Sequence, residues 1–275
     1  MATQSRKSAG RVAGGSFECA GRLGLRGGLQ VTLLLLAIAG FCGHSFAYDE
    51  TFHHVYPLPA GGSFVLENVN GSVQVEGWDR DEVEVSAVKT GTSEVREVQQ
   101  VQIEVDSEPG QVAVHTRYPK GEGAEVAVEY HVHVPYRVLL GSVGTVNGSV
   151  TVRGVEGGGE LRSVNGNIEV SNCSGRFSEK TTNGDIRLEL RRLLEGGPMN
   201  LETVNGSVLI GLPAGAKADL KALSMNGDVY SELPTPHGAR PSAPHAFRTK
   251  LGTGGGEISV RTVNGGIRLL QSPGV

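Results

Sequence analysis

The dipeptide Asn-Gly recurs seven times in this chain of 275 residues, at Asn70-Gly71, Asn147-Gly148, Asn165-Gly166, Asn183-Gly184, Asn205-Gly206, Asn226-Gly227 and Asn264-Gly265. From Asn147 onward the spacings are 18, 18, 22, 21 and 38 residues. A period of roughly 20–50 residues marks repeat architecture, because one such unit cannot bury its own apolar face and must stack on a neighbour. The flanks repeat with the turn. Three residues after each Asn stands Val73, Val150, Ile168, Ile186, Val208, Val229 or Ile267. Five after stands Val75, Val152, Val170, Leu188, Ile210, Ser231 or Leu269, apolar in six of seven. Period two after a turn means a strand with one buried face. Two before each Asn stands Asn68, Thr145, Ser163, Thr181, Thr203, Ser224 or Thr262, and such hydroxyls can bridge neighbouring strands.

Asn-Gly implies a sharp turn at positive φ, which Gly adopts freely and Asn tolerates. Two all-β architectures satisfy that. In an antiparallel meander or sandwich, each pair is a hairpin tip. In a β-solenoid, each pair is a corner, and equivalent residues stack from coil to coil. Tandem, near-identical units favour the solenoid, since stacking rewards the same residue in every layer. Residues 48–140 hold one Asn-Gly and alternating runs such as Glu82-Val83-Glu84-Val85, Val101-Gln102-Ile103-Glu104-Val105 and Val126-Ala127-Val128. They read as an N-terminal β-sheet lead-in, with Pro109-Gly110 as a turn. Residues 141–275 are the repeat region. Residues 232–249, with four prolines, read as a loop that interrupts it and doubles the last spacing. No segment shows helical periodicity.

Residues 1–47 read as an export signal. Arg6, Lys7, Arg11, Arg22 and Arg26 precede an apolar run from about Leu29 to Phe41, and Ser45-Phe46-Ala47 offers a small-x-small cleavage site before Tyr48. The run is shorter than the ~20 residues of a membrane span, so membrane contact is expected only through this signal. Without it, 20 basic and 28 acidic residues remain, for a net charge of −8. That surface disfavours nucleic acid as a partner. Cys19 and Cys42 leave with the signal, and Cys173 alone cannot form an internal disulfide or a cysteine-based metal site. Glycine is abundant at 41 residues but has no three-residue period, which excludes collagen, and the many β-branched residues exclude disorder.

The residues suited to chemistry are few. His53-His54 and His131-x-His133 have spacings that could hold a metal, with Asp49 or Glu50 as a third ligand, but read better as strand-surface residues. Asp185 and Asp228 share one repeat position, where β-helical enzymes gather carboxylates; a polar turn residue explains them as well. Gly157-Gly158-Gly159 and Gly254-Gly255-Gly256 open no helix and read as tight turns rather than phosphate loops. Catalytic, cofactor-binding and metal-binding residues are accordingly expected to be none, and the chain is expected to be no enzyme.

Gly144-Thr145-Val146-Asn147-Gly148-Ser149-Val150-Thr151-Val152 and its echo Arg261-Thr262-Val263-Asn264-Gly265-Gly266-Ile267-Arg268-Leu269 resemble the bacterial putative-adhesin family. So do Asn70-Gly71-Ser72-Val73 and Glu76-Gly77-Trp78-Asp79. The resemblance spans roughly residues 60–270. It implies an exported β-solenoid of the cell envelope, adhesin-like, with no catalytic motif. The expected partner is an envelope or extracellular protein or polysaccharide, and the alternatives are a polysaccharide-active enzyme on a β-helical scaffold or an envelope-stress sensor. Export predicts a mature N-terminus at Tyr48 by mass spectrometry of the envelope fraction; a chain retained in the cytoplasm with Met1 intact is the contrary result.

Overall fold

The computed structural model describes residues 48–91, 95–119, 126–234 and 245–272. The expected signal and residues 235–244 of the proline-rich stretch lie outside the described residues. The chain opens with β1 (Tyr48–Pro57), and β2 (Ser63–Glu67) and β3 (Val73–Trp78) flank Asn70. Next come β4 (Glu82–Gly91), α1 (Val95–Gln100), β5 (Gln102–Glu108), β6 (Gln111–Arg117) and β7 (Val126–Pro135). β8 (Arg137–Gly144) and β9 (Val150–Arg153) flank Asn147; β10 (Glu156–Arg162) and the start of β11 (Ile168–Lys180) flank Asn165; the end of β11 and β12 (Ile186–Arg192) flank Asn183. β13 (Met199–Asn205) and β14 (Val208–Leu212) meet at Asn205, and β15 (Ala218–Ser224) and β16 (Val229–Ser231) at Asn226. β17 (Ala246–Leu251) precedes β18 (Glu257–Asn264) and β19 (Ile267–Gln271), which meet at Asn264. All nineteen strands hydrogen-bond into one mixed sheet.

Repeats pair with repeats in parallel and in register. Val73 aligns with Val150, Val150 with Ile168, Ile168 with Ile186, Ile186 with Val208, Val208 with Ile267, and Ile267 with Val229. Asn70, Asn147, Asn165, Asn183 and Asn205 are joined by parallel bridges. Hairpins at Asn-Gly would have made these pairings antiparallel. Each repeat is thus a coil of two strands, one in a first ladder before the corner and one in a second ladder after it. Between the ladders lies the core. The seven β-branched residues three past each Asn are at most 4% exposed.

Order in space departs from order in sequence at both ends. The last coil, at Asn264, sits between those of Asn205 and Asn226, because β18 pairs with both β13 and β15. The spacing of 38 is therefore not a loop inserted between adjacent coils. The chain overshoots to build the outermost coil, runs through β17, which pairs antiparallel with β15, and comes back to fill the gap. The other end mirrors this: β6 and β7 lie outside β2 and β3, flanked by antiparallel β5, β4 and β1. The expected lead-in sheet thus shares both ladders with the repeats. The short helix α1 shows no periodicity because its six residues make fewer than two turns; its Val98, and Val101 just beyond it, are fully buried.

The reason for glycine at the corners differs from the one expected. Of the seven corner glycines only Gly71 and Gly265 have left-handed φ, so Gly166, Gly184 and Gly206 are not there for positive φ. They are there because coils approach too closely for a side chain. A Cβ on Gly166 would lie 1.9 Å from the Gly148 carbonyl oxygen, one on Gly184 2.1 Å from that of Gly166, and one on Gly206 2.0 Å from that of Gly184. Gly157, Gly158 and Gly159 are likewise strand residues of β10 rather than a turn, with backbone oxygens of neighbouring coils 2.2–2.3 Å from a Cβ. Gly166→Ala, Gly184→Ala and Gly206→Ala should each cost at least about 2–3 kcal/mol in urea unfolding, since backbone must move. Gly197→Ala, which meets nothing within 4 Å, should stay within about 0.5 kcal/mol; equal losses would refute the close-approach account.

Candidate functional site

The corner column is the most regular feature of the surface. Each Asn side-chain amide donates to the side-chain oxygen of the Asn in the next coil. Asn147 donates to Asn70 at 2.7 Å, Asn165 to Asn147 at 2.8 Å, Asn183 to Asn165 at 2.8 Å and Asn205 to Asn183 at 2.8 Å. Asn264 then donates to Asn205 at 2.7 Å and Asn226 to Asn264 at 2.9 Å. The buried hydroxyls two residues earlier make a second column. Thr145 donates to Gly71 O, Ser163 to Gly148 O, Thr181 to Gly166 O and Thr203 to Gly184 O, at 2.9–3.0 Å. Asn68, an amide at the position the other coils fill with a hydroxyl, donates to Val128 O at 2.8 Å, where β7 replaces a repeat coil.

Beside the amide ladder runs an exposed apolar edge that the repeat reading overlooked: Val69, Val146, Val164, Val204 and Met225, at 36–64% exposure. Its signal was in the sequence, since each immediately precedes an Asn of the repeat. The edge borders a groove of about 660 Å³ lined by Gly144, Ser142, Arg162 and Lys180 among others. The charges around it are balanced. His115 pairs with Glu67, Arg117 with Glu104, and Lys180 with Glu202, at 3.0–3.4 Å.

The carboxylates singled out earlier lie apart. Asp185 and Asp228 are both exposed and line one shallow groove. The swapped coil order, however, puts three coil steps between them, roughly 14 Å at ~4.8 Å per step. A carboxylate pair for glycoside hydrolysis stands roughly 5–9.5 Å apart. Asp185 has a structural task as well: its Oδ1 accepts the Ser207 N–H at 2.7 Å, and its own N–H donates to Asn167 Oδ1 at 2.8 Å.

His53, His131 and His133 share a face of β1, β4 and β7, whereas His54 lies on the opposite face against Phe52 at 4.7 Å between ring centres. His53 Nδ1 lies 3.0 Å from Ser86 Oγ, and His133 stacks on Trp78 at 5.0 Å between ring centres with Glu76 3.8 Å from its Nε2. Asp49 accepts from Thr90, and Glu50 lies 3.5 Å from Lys89. Among the described residues no three such side chains converge.

At the other corner, where each coil passes to the next, a recess of about 450 Å³ is lined by Tyr136, Arg137, Glu156, Ser174, Arg191 and Arg192. Arg137, Glu156, Ser174 and Arg192 stand in one row across four strands. Close by, Asn172 is the one non-glycine residue with left-handed φ, 56°, among those described.

A family comparison fits this geometry. The toastrack model matches residues 63–270, from the first coil to the last. The chain belongs to the toastrack DUF4097 family. Solved structures similar to this toastrack chain include a putative cell adhesion protein from Clostridium sporogenes, 11% identical, covering 81% of this chain and 100% of that one at a TM-score of 0.45. A putative adhesin from Bacteroides fragilis is 11% identical and covers 80% and 97% at a TM-score of 0.37. Among curated protein sequences none matches.

Cys173 and Glu179 are titratable groups inside the fold. Cys173 is fully buried, and burial pushes its thiol up to about 11. Glu179 occupies a core position between Leu161 and Leu201, 1% exposed, and neither carboxylate oxygen has a hydrogen-bond partner. Desolvation raises its pKa well above the carboxylate range. The folded state then holds a proton that the unfolded chain releases above about pH 4.3, so this contribution to stability falls as pH rises from there toward the folded pKa. Glu179→Leu should remove that fall and stabilise by about 1–3 kcal/mol at pH 8, measured by urea unfolding at pH 5 and pH 8. Loss of stability in the Leu variant at both pH values would show that the carboxyl has an unrecognised partner.

Proposed function

We propose that this chain is an exported, non-enzymatic module of the cell envelope, a β-solenoid that binds an extended partner, protein or polysaccharide, along its valine edge. The observation that carries the reading is the exposed row of Val69, Val146 and Val164, interrupted by Thr182 and resumed at Val204, beside an unbroken amide ladder. Apolar residues at a fixed coil spacing give a partner with its own regular repeat several equivalent contacts. Coils locked at every layer hold those contacts in place without an ordering cost on binding. The balanced charges of the adjoining groove favour a neutral segment over a charged one. A second reading, a polysaccharide-active enzyme, draws only on Asp185 and Asp228 lining one groove.

Co-sedimentation of the purified protein with cell-wall polysaccharides and immobilised surface proteins tests the proposal. Val146→Ser, Val164→Ser and Val204→Ser combined should weaken binding at least ~10-fold while the melting temperature stays within a few degrees. Binding untouched by the triple variant would refute the valine edge. Reducing-end release abolished by Asp185→Asn or Asp228→Asn would replace the proposal with the enzymatic reading.

A further inference from the structure

The recess at the inter-coil corner brings three guanidinium groups and one carboxylate into a single pocket. Glu156 is shared by two of them, Arg137 at 3.8 Å and Arg192 in direct hydrogen-bond contact. The third, Arg191, has no carboxylate partner among the described residues. It donates only to neutral acceptors, Asn172 Oδ1 at 3.3 Å and the Tyr136 hydroxyl at 3.4 Å. The recess therefore carries two positive charges in excess, on a chain whose residues 48–275 carry −8. Such a local reversal of sign attracts anions and costs self-repulsion when empty.

The geometry around the charges is that of a receptor. Ser174, buried at 4% exposure, stands in register between Glu156 and Arg192. Asn172 holds left-handed φ at the rim with its side-chain oxygen on Arg191. Arg191 and Arg192 are adjacent in sequence at the end of β12, where the strand leaves the ladder, and both side chains are exposed. Two planar guanidinium forks beside hydroxyl groups are matched by a planar carboxylate or a phosphate, each of which can accept paired hydrogen bonds.

We infer that this recess is a binding site for an anionic group, a carboxylate or a phosphate, borne by a sugar or free in solution. Arg191 is its principal ligand and Arg192 the second, with the Tyr136 and Ser174 hydroxyls set to hydrogen-bond the group or its carrier. The volume of about 450 Å³ accommodates one charged sugar unit. The site lies at the corner between coils, not along the valine edge, and stands or falls independently of that surface.

Calorimetric titration of the purified full chain with inorganic phosphate and with tri-galacturonate, at low and at 0.5 M salt, tests the assignment. Saturable binding to one site is expected, weakened by salt. Arg191→Gln should weaken it at least ~10-fold, and Arg191→Lys should weaken it less, retaining charge but not the fork. Arg187→Gln, at a guanidinium paired with Glu189 on the same strand, should change nothing. Tighter binding of tri-galacturonate assigns the site to a sugar-borne anion, and equal binding assigns it to the charged group alone. Absence of saturable binding to both probes, or equal loss in the Arg191→Gln and Arg187→Gln variants, overturns the inference. Melting curves of each variant separate lost binding from lost folding.

Discussion

The approach of one peptide backbone to the next at the Asn-Gly corner governs the rest of the molecule. Six of the seven corner glycines face the carbonyl oxygen of the glycine in the adjoining coil, and Gly71 faces that of Val128, at distances no Cβ could tolerate. That carbonyl is not left unsatisfied, because the Ser or Thr two residues before the next Asn donates to it. The glycine N–H donates in turn to the Asn carbonyl of the following coil, as Gly148 does to Asn165 and Gly166 to Asn183. With the backbones so close, the Asn side chains have one low-energy arrangement, amide to amide along the stack. A buried hydroxyl, a bare glycine and an amide ladder are thus three consequences of one contact. The stack cannot loosen at one layer without unpairing groups in two.

The ends of the stack require different chemistry. A coil that ended as it repeated would present a free parallel edge to any other chain, an invitation to aggregate. Here β15 and β6, the outer strands of the first ladder, are covered by antiparallel β17 and β5, which do not continue the repeat. Building such caps obliges the chain to pass beyond its final position and turn back, so that the coil made last is not the coil placed last. The detour also sets surface chemistry. It separates Asp185 from Asp228 by inserting the coil at Asn264 between those at Asn205 and Asn226.

Much of this was legible in the sequence because stacking writes each requirement once per layer. The β-branched line of Val150, Ile168, Ile186 and Val208, the hydroxyl line and the strand after each turn could all be read from period alone. The same columns held signals that went unread. Four residues before each Asn stand Leu66, Val143, Leu161, Glu179, Leu201, Ala222 and Val260, so the one carboxyl in a core column was visible as an exception. The apolar line immediately before six of the seven Asn residues, broken at Thr182, was also there, and only burial separates an exposed valine from a core one. The recess of Arg137, Glu156, Arg191 and Arg192 was not legible, since its residues belong to different coils and occupy corners where the period slips.

The sequence by itself determined that the chain would be all-β, built of repeated equivalent units with one face of each repeat strand buried, because local period and side-chain size dictate those outcomes whatever the partner; whether the units stack as coils or fold as hairpins it left open. Tertiary structure decided the order of the coils, the reason for glycine at the corner and the grouping of the arginines. Each of those depends on which backbone lies ~4.8 Å away, and a pattern that repeats identically in every layer carries no label saying which layer comes next.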